Sequence, residues 1–154
     1  MELNRIYNED NLATCARMPD GFIDLVVTSP PYDNLRTYNG FTWDFEALAR
    51  ELYRVVKKGG VVVWVVGDAT IDGSETGTSF RQALYFKEIG FNLHDTMIYR
   101  KENPIPLTHN RYEQEWEYMF VLAKGKPSTW NPIRKRNKSA FQKVSWATRA
   151  VAVG

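Results

Sequence analysis

The chain is poor in the residues that build metal centres and covalent cross-links. Among 154 residues there is one cysteine, Cys15, and there are two histidines, His94 and His109. A single thiol excludes an internal disulfide and a cysteine-cluster metal site, and it suits a reducing cytoplasm. The histidines stand far apart in sequence and lack ligand neighbours, so no metal site is expected. No apolar run approaches the roughly 20 residues that span a bilayer, and the N-terminus has no basic stretch followed by an apolar one. A soluble, cytoplasmic protein is the expectation. Internal repeats and low-complexity segments are missing too. Acid is lacking from one part only. Residues 124–154 hold 8 Lys/Arg and no Asp/Glu, whereas residues 1–123 hold 12 Lys/Arg and 18 Asp/Glu. The net charge of +2 hides this split.

What is present reads as one globular unit, since 44% hydrophobic residues in a chain of this length can form a substantial core. The apolar pattern alternates between strand-like and helix-like segments. Short strands are expected near Arg5 to Asn8 and over Phe22 to Thr28, with a helix near Asn11 to Met18 between them. Asp44 is placed to cap a helix running to about Lys57, because Phe45, Leu48, Leu52, Val55 and Val56 share one face. Gly59-Gly60 should end that helix and lead into a buried strand, Val61 to Val66. A further helix over Thr78 to Ile89, with Gly90 as its cap, precedes strands near Asn92 to Arg100 and Glu117 to Ala123. This order argues for an α/β, Rossmann-like fold.

The most informative segment is Ser29-Pro30-Pro31-Tyr32, directly after Ile23-Asp24-Leu25-Val26-Val27-Thr28. The β-branched run reads as a core strand of a parallel sheet, and two successive prolines must leave it. Ligands of open α/β sheets sit beyond the carboxyl ends of strands, which is where this turn falls. An aromatic amine is a poor nucleophile because its lone pair is delocalised into the ring. Acceptors near both N–H bonds, here the Ser29 hydroxyl and the Pro30 carbonyl, would favour a pyramidal nitrogen and stabilise charge developing as it attacks a methyl group. The Tyr32 ring could stack on a base taken out of a duplex. The plainer alternative is a proline-rich surface turn. Cys15 recurs with Leu12, Ala16 and Met18 at near-helical spacing, so it reads as a core-facing residue and not as the thiol nucleophile that methylation of a ring carbon would need.

At these residues the chain resembles the amino-directed DNA methyltransferases that use S-adenosylmethionine and carry a (Ser/Asp/Asn)-Pro-Pro-(Tyr/Phe/Trp) signature. The likeness extends to Ile6-Tyr7-Asn8-Glu9-Asp10-Asn11-Leu12, to Met18-Pro19-Asp20-Gly21-Phe22-Ile23-Asp24-Leu25, and to the helix and glycine turn Glu51-Leu52-Tyr53-Arg54-Val55-Val56-Lys57-Lys58-Gly59-Gly60. It continues through Asn103-Pro104-Ile105-Pro106 and Glu117-Tyr118-Met119-Phe120-Val121-Leu122-Ala123-Lys124-Gly125, from residue 5 to about residue 132. The family's Gly-rich Asp-Pro-Phe-x-Gly-Ser-Gly cofactor loop has no match, and Gly73-Ser74-Glu75-Thr76-Gly77 does not supply one. The resemblance therefore implies the catalytic half of an incomplete methyltransferase fold: residues 1–132 as catalytic part, residues 133–154 as a basic tail where target recognition would begin.

The same resemblance implies roles for single residues. Ser29, Pro30, Pro31 and Tyr32 would be catalytic. Asp10 and Thr28 would lie on the cofactor side, Asp10 alternatively being an ordinary helix cap. Arg36 and Tyr38 would reach substrate or phosphates. Lys101 and Asn103, with Pro104, would wall the base pocket. Asp68 would face the same crevice or simply cap the following turn. Arg134, Lys135, Arg136 and Lys138, interleaved downstream with Phe141 and Trp146, would touch DNA, or form a solvated tail. The implied reaction transfers a methyl group to the exocyclic amine of cytosine or adenine in double-stranded DNA, as in restriction-modification, with serine at the first signature position leaning toward cytosine. The alternatives left open are a catalytically inactive DNA-binding remnant and a methyltransferase of RNA or of a protein amine or amide. A homo-oligomer, or a second chain bringing the cofactor loop, is expected from an unfinished sheet edge beside Ile23 to Val27.

Overall fold

The computed structural model describes residues 2–31, 43–103 and 111–133. Its elements follow the order α1 (Asn11–Ala16), β1 (Ile23–Thr28), α2 (Phe45–Val55), β2 (Val56–Val66), β3 (Thr70–Ile71), β4 (Ser74–Glu75), α3 (Thr78–Glu88), β5 (Asn92–Arg100) and β6 (Trp116–Ala123). Four strands form one mixed sheet in the order β1-β2-β6-β5, with β1 and β2 parallel and β6 antiparallel to both its neighbours. Hence β1, β2 and β5 all leave the sheet at one end, and β6 enters there.

The helices form where the sequence supplies both an apolar stripe and a cap. The Asp44 carboxylate accepts from the Ala47 amide at 2.9 Å, satisfying one of the unpaired donors of the first turn of α2. Leu48, Ala49, Leu52 and Val55 then face the sheet. At the other end Lys124 Nζ donates to the Tyr53 and Val56 carbonyls at 2.6 and 2.9 Å, answering orphan acceptors of the last turn. In the core, Trp64 meets Phe86 edge-on at 5.1 Å between ring centroids, and its indole N–H donates to Gln82 Oε1 at 2.8 Å. A buried indole needs such a partner.

Three expectations are corrected. Residues 5–8 form no strand, and Ile6 is 96% exposed; alternation alone cannot make a strand without a neighbour to pair with. Helix α2 stops at Val55 and not near Lys57, because Val56 already pairs with Ile23 of β1. Gly59-Gly60 accordingly does not separate helix from strand. It lies inside β2, where the register jumps from Ile23↔Val56 to Leu25↔Val61 and the extra residues are accommodated as a bulge. Gly59 takes φ +83° there. Strand β1 adjoins only β2 among the described residues, and its Leu25 and Val27 are 58% and 66% exposed.

Candidate active site at the end of the sheet

The chain direction of each strand brings distant residues to one end of the sheet. Thr28 closes β1 opposite Trp64 of β2, and Ser29-Pro30-Pro31 follow. Gly67 and Asp68 follow β2, Lys101 and Asn103 follow β5, and Trp116 opens β6 at the same end. With strands about 4.8 Å apart, β1 and β5 lie roughly 14 Å from one another, a span suited to a nucleotide-sized ligand. Ser29 is exposed, Pro30 is buried and Pro31 is half-buried. A buried proline next to an exposed serine is an anchored turn, since Pro30 cannot rotate away without opening the packing around it. Tyr32, Arg36, Tyr38, Pro104 and the basic residues Arg134, Lys135, Arg136 and Lys138 lie outside the described residues.

Asp10 caps α1, accepting from the Ala13 amide at 3.0 Å through Oδ1. It also lines a pocket of about 590 Å³ with Asn8, Glu9, Asn11, Leu12, Trp43 and Asp44. The lining combines carboxylates and amides, able to accept from hydroxyls or lie near positive charge, with an indole against which a flat ring can rest. Glu9 accepts from the Thr14 hydroxyl at 2.7 Å and pairs with Arg17. Hydrogen bonding from Arg17, then from Thr14, holds its carboxyl below the ordinary value. Trp43 was missed by sequence reasoning. The available signal was an aromatic immediately before the Asp44 cap, poised to pack on Phe45 and Trp64, as it does at 5.9 and 6.1 Å.

Asp68 takes the capping role. It is buried, and its oxygens accept from the Ser79 amide at 2.8 Å, from the Ser79 hydroxyl, and from the Thr76 hydroxyl at 3.3 Å. Burial, with the charges of Asp68 and Glu75 nearby, pushes the Tyr118 phenol up. Lys101 Nζ is paired with Glu117 at 2.7 Å, and its amide donates to the Glu115 carbonyl at 2.6 Å. Asn103 is exposed. Gly73-Ser74-Glu75-Thr76-Gly77 belongs to the β3–β4 hairpin and the start of α3. Its turn is Asp72-Gly73 with φ +48° and +79°, a type of tight turn that joins antiparallel strands. Cys15 is buried on α1, and burial raises its thiol, the opposite of an activated nucleophile. Among the described residues no group of three His, Cys, Asp or Glu side chains could hold a metal ion, and no helix is long and apolar enough to cross a membrane.

Comparison with known proteins gives these residues a context. The family profile described as DNA methylase matches residues 23–149. The orphan methyltransferase M.BamHII of Bacillus amyloliquefaciens is 61% identical over 133 residues, which cover 86% of this chain and 48% of that protein. The type II methyltransferase M.SfiI of Streptomyces fimbriatus is 27% identical, covering 82% of this chain and 37% of its own length. Among solved structures, the Thermus thermophilus protein TTHA0409 complexed with S-adenosyl-L-methionine superposes with a TM-score of 0.60 at 25% identity, covering 83% of this chain and 56% of the other. The cytosine-N4-specific PvuII DNA methyltransferase shares the fold, with a TM-score of 0.67 at 21% identity over 79% of this chain and 49% of that one. The chain thus spans about half the length of the curated relatives it matches.

Proposed function

The chain belongs to the DNA methylase family, and from that premise we propose that it forms the catalytic half of a methyltransferase acting on an exocyclic amine of cytosine or adenine in double-stranded DNA. The observation that carries this reading is the placing of Ser29-Pro30-Pro31 beyond the end of β1, with Ser29 exposed and Pro30 buried, at the sheet end where β2 and β5 also exit. S-adenosylmethionine, when bound, would supply an electrophilic methyl on a sulfonium, whose carbon–sulfur bond breaks to leave a neutral thioether as the nitrogen–carbon bond forms. The pocket chemistry fits part of that group: Asp10 and Glu9 suit hydroxyls or positive charge and Trp43 suits a flat ring, while Thr28 closes β1. The Ser29 hydroxyl and the Pro30 carbonyl accept from the target amine and stabilise the positive charge that grows on nitrogen as it attacks. Tyr32 stacks on the extruded base, a contact worth roughly 1–3 kcal/mol. The amine then loses its proton to solvent or to a neighbouring acceptor. Lys101 and Asn103 border the base, and Arg36, Tyr38, Arg134, Lys135, Arg136 and Lys138 engage phosphates. The remaining half of the fold, with its cofactor loop, comes from further sequence or from a second polypeptide.

The test follows tritiated methyl transfer from S-adenosylmethionine to duplex DNA, to RNA and to a protein mixture, with the chain alone and with the complementary half of M.BamHII co-expressed. Transfer to the amino nitrogen of a DNA base in the co-expressed sample is expected. Transfer to RNA or protein only, or to a ring carbon, would overturn the assignment.

A further inference from the structure

Between β2 and α3 the chain makes an excursion that the fold does not require. The Thr76 amide donates to the Ala69 carbonyl at 2.9 Å, so the two ends already touch, yet residues 70–75 are spent between them on the β3–β4 hairpin. The root of the hairpin is fixed: Gly67, Asp68 and Ala69 are buried, and Asp68 is bound to Ser79 and Thr76. Every residue from Thr70 to Glu75 is exposed, Ile71 at 59%. A two-stranded ribbon that buries nothing is barely stable by itself. This one is held from outside. Arg111 Nη1, from the connection leading into β6, donates to the Gly73 carbonyl at 2.7 Å, and Arg81 Nη2 donates to the Thr76 carbonyl at 2.9 Å. The hairpin is thus a small, tethered projection that leaves the strand next to β1, at the sheet end where Ser29 lies.

We infer that this hairpin enters the major groove of the substrate duplex and that Asp72, at its tip, accepts from the amino group of a cytosine near the methylated base. The inference rests on the reading proposed above and adds a specificity-determining residue to it. Three observations select this ligand. A two-stranded ribbon is one of the few shapes that the major groove, about 12 Å wide, admits. Charge then separates phosphate from base. The hairpin carries Asp72 and Glu75 and no cation, so the phosphate backbone repels it, while a carboxylate is a fitting acceptor for a donor on a base edge. Glu75 lies 3.9 Å from Arg111, whereas Asp72 has no hydrogen bond or ion pair among the described residues. Cytosine presents its amino group alone on that edge, but adenine sets the N7 acceptor beside its own, which repels a carboxylate. Ile71, next to Asp72, offers an apolar surface to a thymine methyl group. Lastly, the projection is too small for a protein interface, which takes about 800 Å² from each partner. Arg111 is then a positioning residue, holding through the Gly73 carbonyl the turn that carries Asp72.

The test selects bound sequences from a random duplex library, using the chain co-expressed with the complementary half of M.BamHII, and follows methyl transfer separately. The wild type should favour cytosine about tenfold or more at one position outside the methylated base. Asp72→Ala should erase that preference. Asp72→Asn keeps a residue that the tight turn accepts, and should move the preference to adenine, whose N6 and N7 an amide bonds together. Arg111→Ala should weaken the same preference several-fold with no change in the salt dependence of binding, because Arg111 reaches a carbonyl and not phosphate. A fall of about one in the slope of log K against log salt would make Arg111 a phosphate contact and remove its positioning role. A cytosine preference unaltered in all three variants would overturn the inference and leave the methylase reading intact, as expected of a hairpin that serves a protein partner. An effect of Asp72 confined to a base other than cytosine would overturn it equally. No enriched sequence in the wild type would sink the DNA reading and this inference with it. Altered preference in samples that transfer no methyl group would sink the proposed activity and leave the role of the hairpin standing.

Discussion

The carboxylate of Asp68, at the end of β2, closes the first turn of α3 by accepting from both the amide and the hydroxyl of Ser79, a residue with no exposed surface. A buried carboxylate is costly unless its oxygens are satisfied, and here the satisfying donors are those that a helix start leaves unpaired. Asp68→Ala should therefore lower unfolding stability by about 2–4 kcal/mol, and Asp68→Asn by less, because the amide oxygen can still accept one bond. Urea titration of the three proteins checks the ranking. Equal stability of wild type and Asp68→Ala would show that the cap contributes little.

The bulge in β2 makes a second demand. A Cβ added at Gly60 would lie 2.8 Å from Val56 Cγ1 and 3.0 Å from the carbonyl oxygens of Asp24 and Lys57. Two of these neighbours are backbone, so the β1–β2 pairing must shift. Gly60→Ala should cost about 2–4 kcal/mol and broaden the amide resonances of β1, whereas Gly73→Ala, with open space around it and only its φ of +79° to strain, should cost about 1 kcal/mol. Thermal melts and two-dimensional NMR spectra of both variants measure the contrast.

The same bulge marks the limit of what can be read from residues alone. Phe22 to Thr28, Thr78 to Ile89, Asn92 to Arg100 and Glu117 to Ala123 all emerge within a residue or so of their expected bounds, because side-chain periodicity and caps are local signals. The end of α2 is not local. Val56-Lys57 fits a helix, but the pairing of Val56 with Ile23, more than thirty residues earlier, pulls it into β2. Burial of β1 is likewise non-local, since Leu25 and Val27 carry the composition of a strand with neighbours on both sides while only β2 adjoins it among the described residues. At the site, Ser29 and Asp10 were legible as motif residues, but the pocket beside Asp10 needs Trp43, which the fold brings in through the aromatic cluster around Trp64.

Stability should depend on acid through Glu51. Arg54 donates to both its oxygens, at 3.1 and 2.7 Å, and also to the Cys15 and Met18 carbonyls, tying α2 to α1. Hydrogen bonding from Arg54 holds the Glu51 carboxyl below its ordinary value of 4.5. A carboxyl with a depressed folded-state pKa contributes stability above its unfolded pKa and loses it as pH falls through the folded one. Glu51→Gln should be less stable than wild type by about 0.5–1.5 kcal/mol at neutral pH. The gap should close as pH drops below 4.5. Denaturant midpoints collected across that range test it, and a gap independent of pH would assign the loss to packing.

Ser29 is exposed, so removing its hydroxyl should not disturb the fold. In the co-expressed, complemented enzyme, Ser29→Ala should lower kcat by roughly 10²–10³-fold if the hydroxyl stabilises the developing charge on nitrogen. KM for DNA should change little, because the contact strengthens chiefly as the methyl transfers. A loss confined to KM would make Ser29 a binding residue only.

The basic tail and the neighbouring aromatic should separate by their response to salt. Each phosphate neutralised releases counterions, so log K falls with log salt at about 0.9 per contact on duplex DNA. Replacing Arg134, Lys135, Arg136 and Lys138 together by alanine should flatten that slope by about 3–4. Trp130 lies just before them and is 77% exposed, with no charge to contribute. Trp130→Ala should weaken binding to single-stranded DNA by about 1–3 kcal/mol without changing the slope, because stacking releases no counterions. Fluorescence anisotropy at several salt concentrations resolves both effects. An unchanged slope in the fourfold variant would mean that the charge of the tail does not reach phosphate, and DNA contact would then have to be sought at the sheet end carrying Ser29 and Lys101.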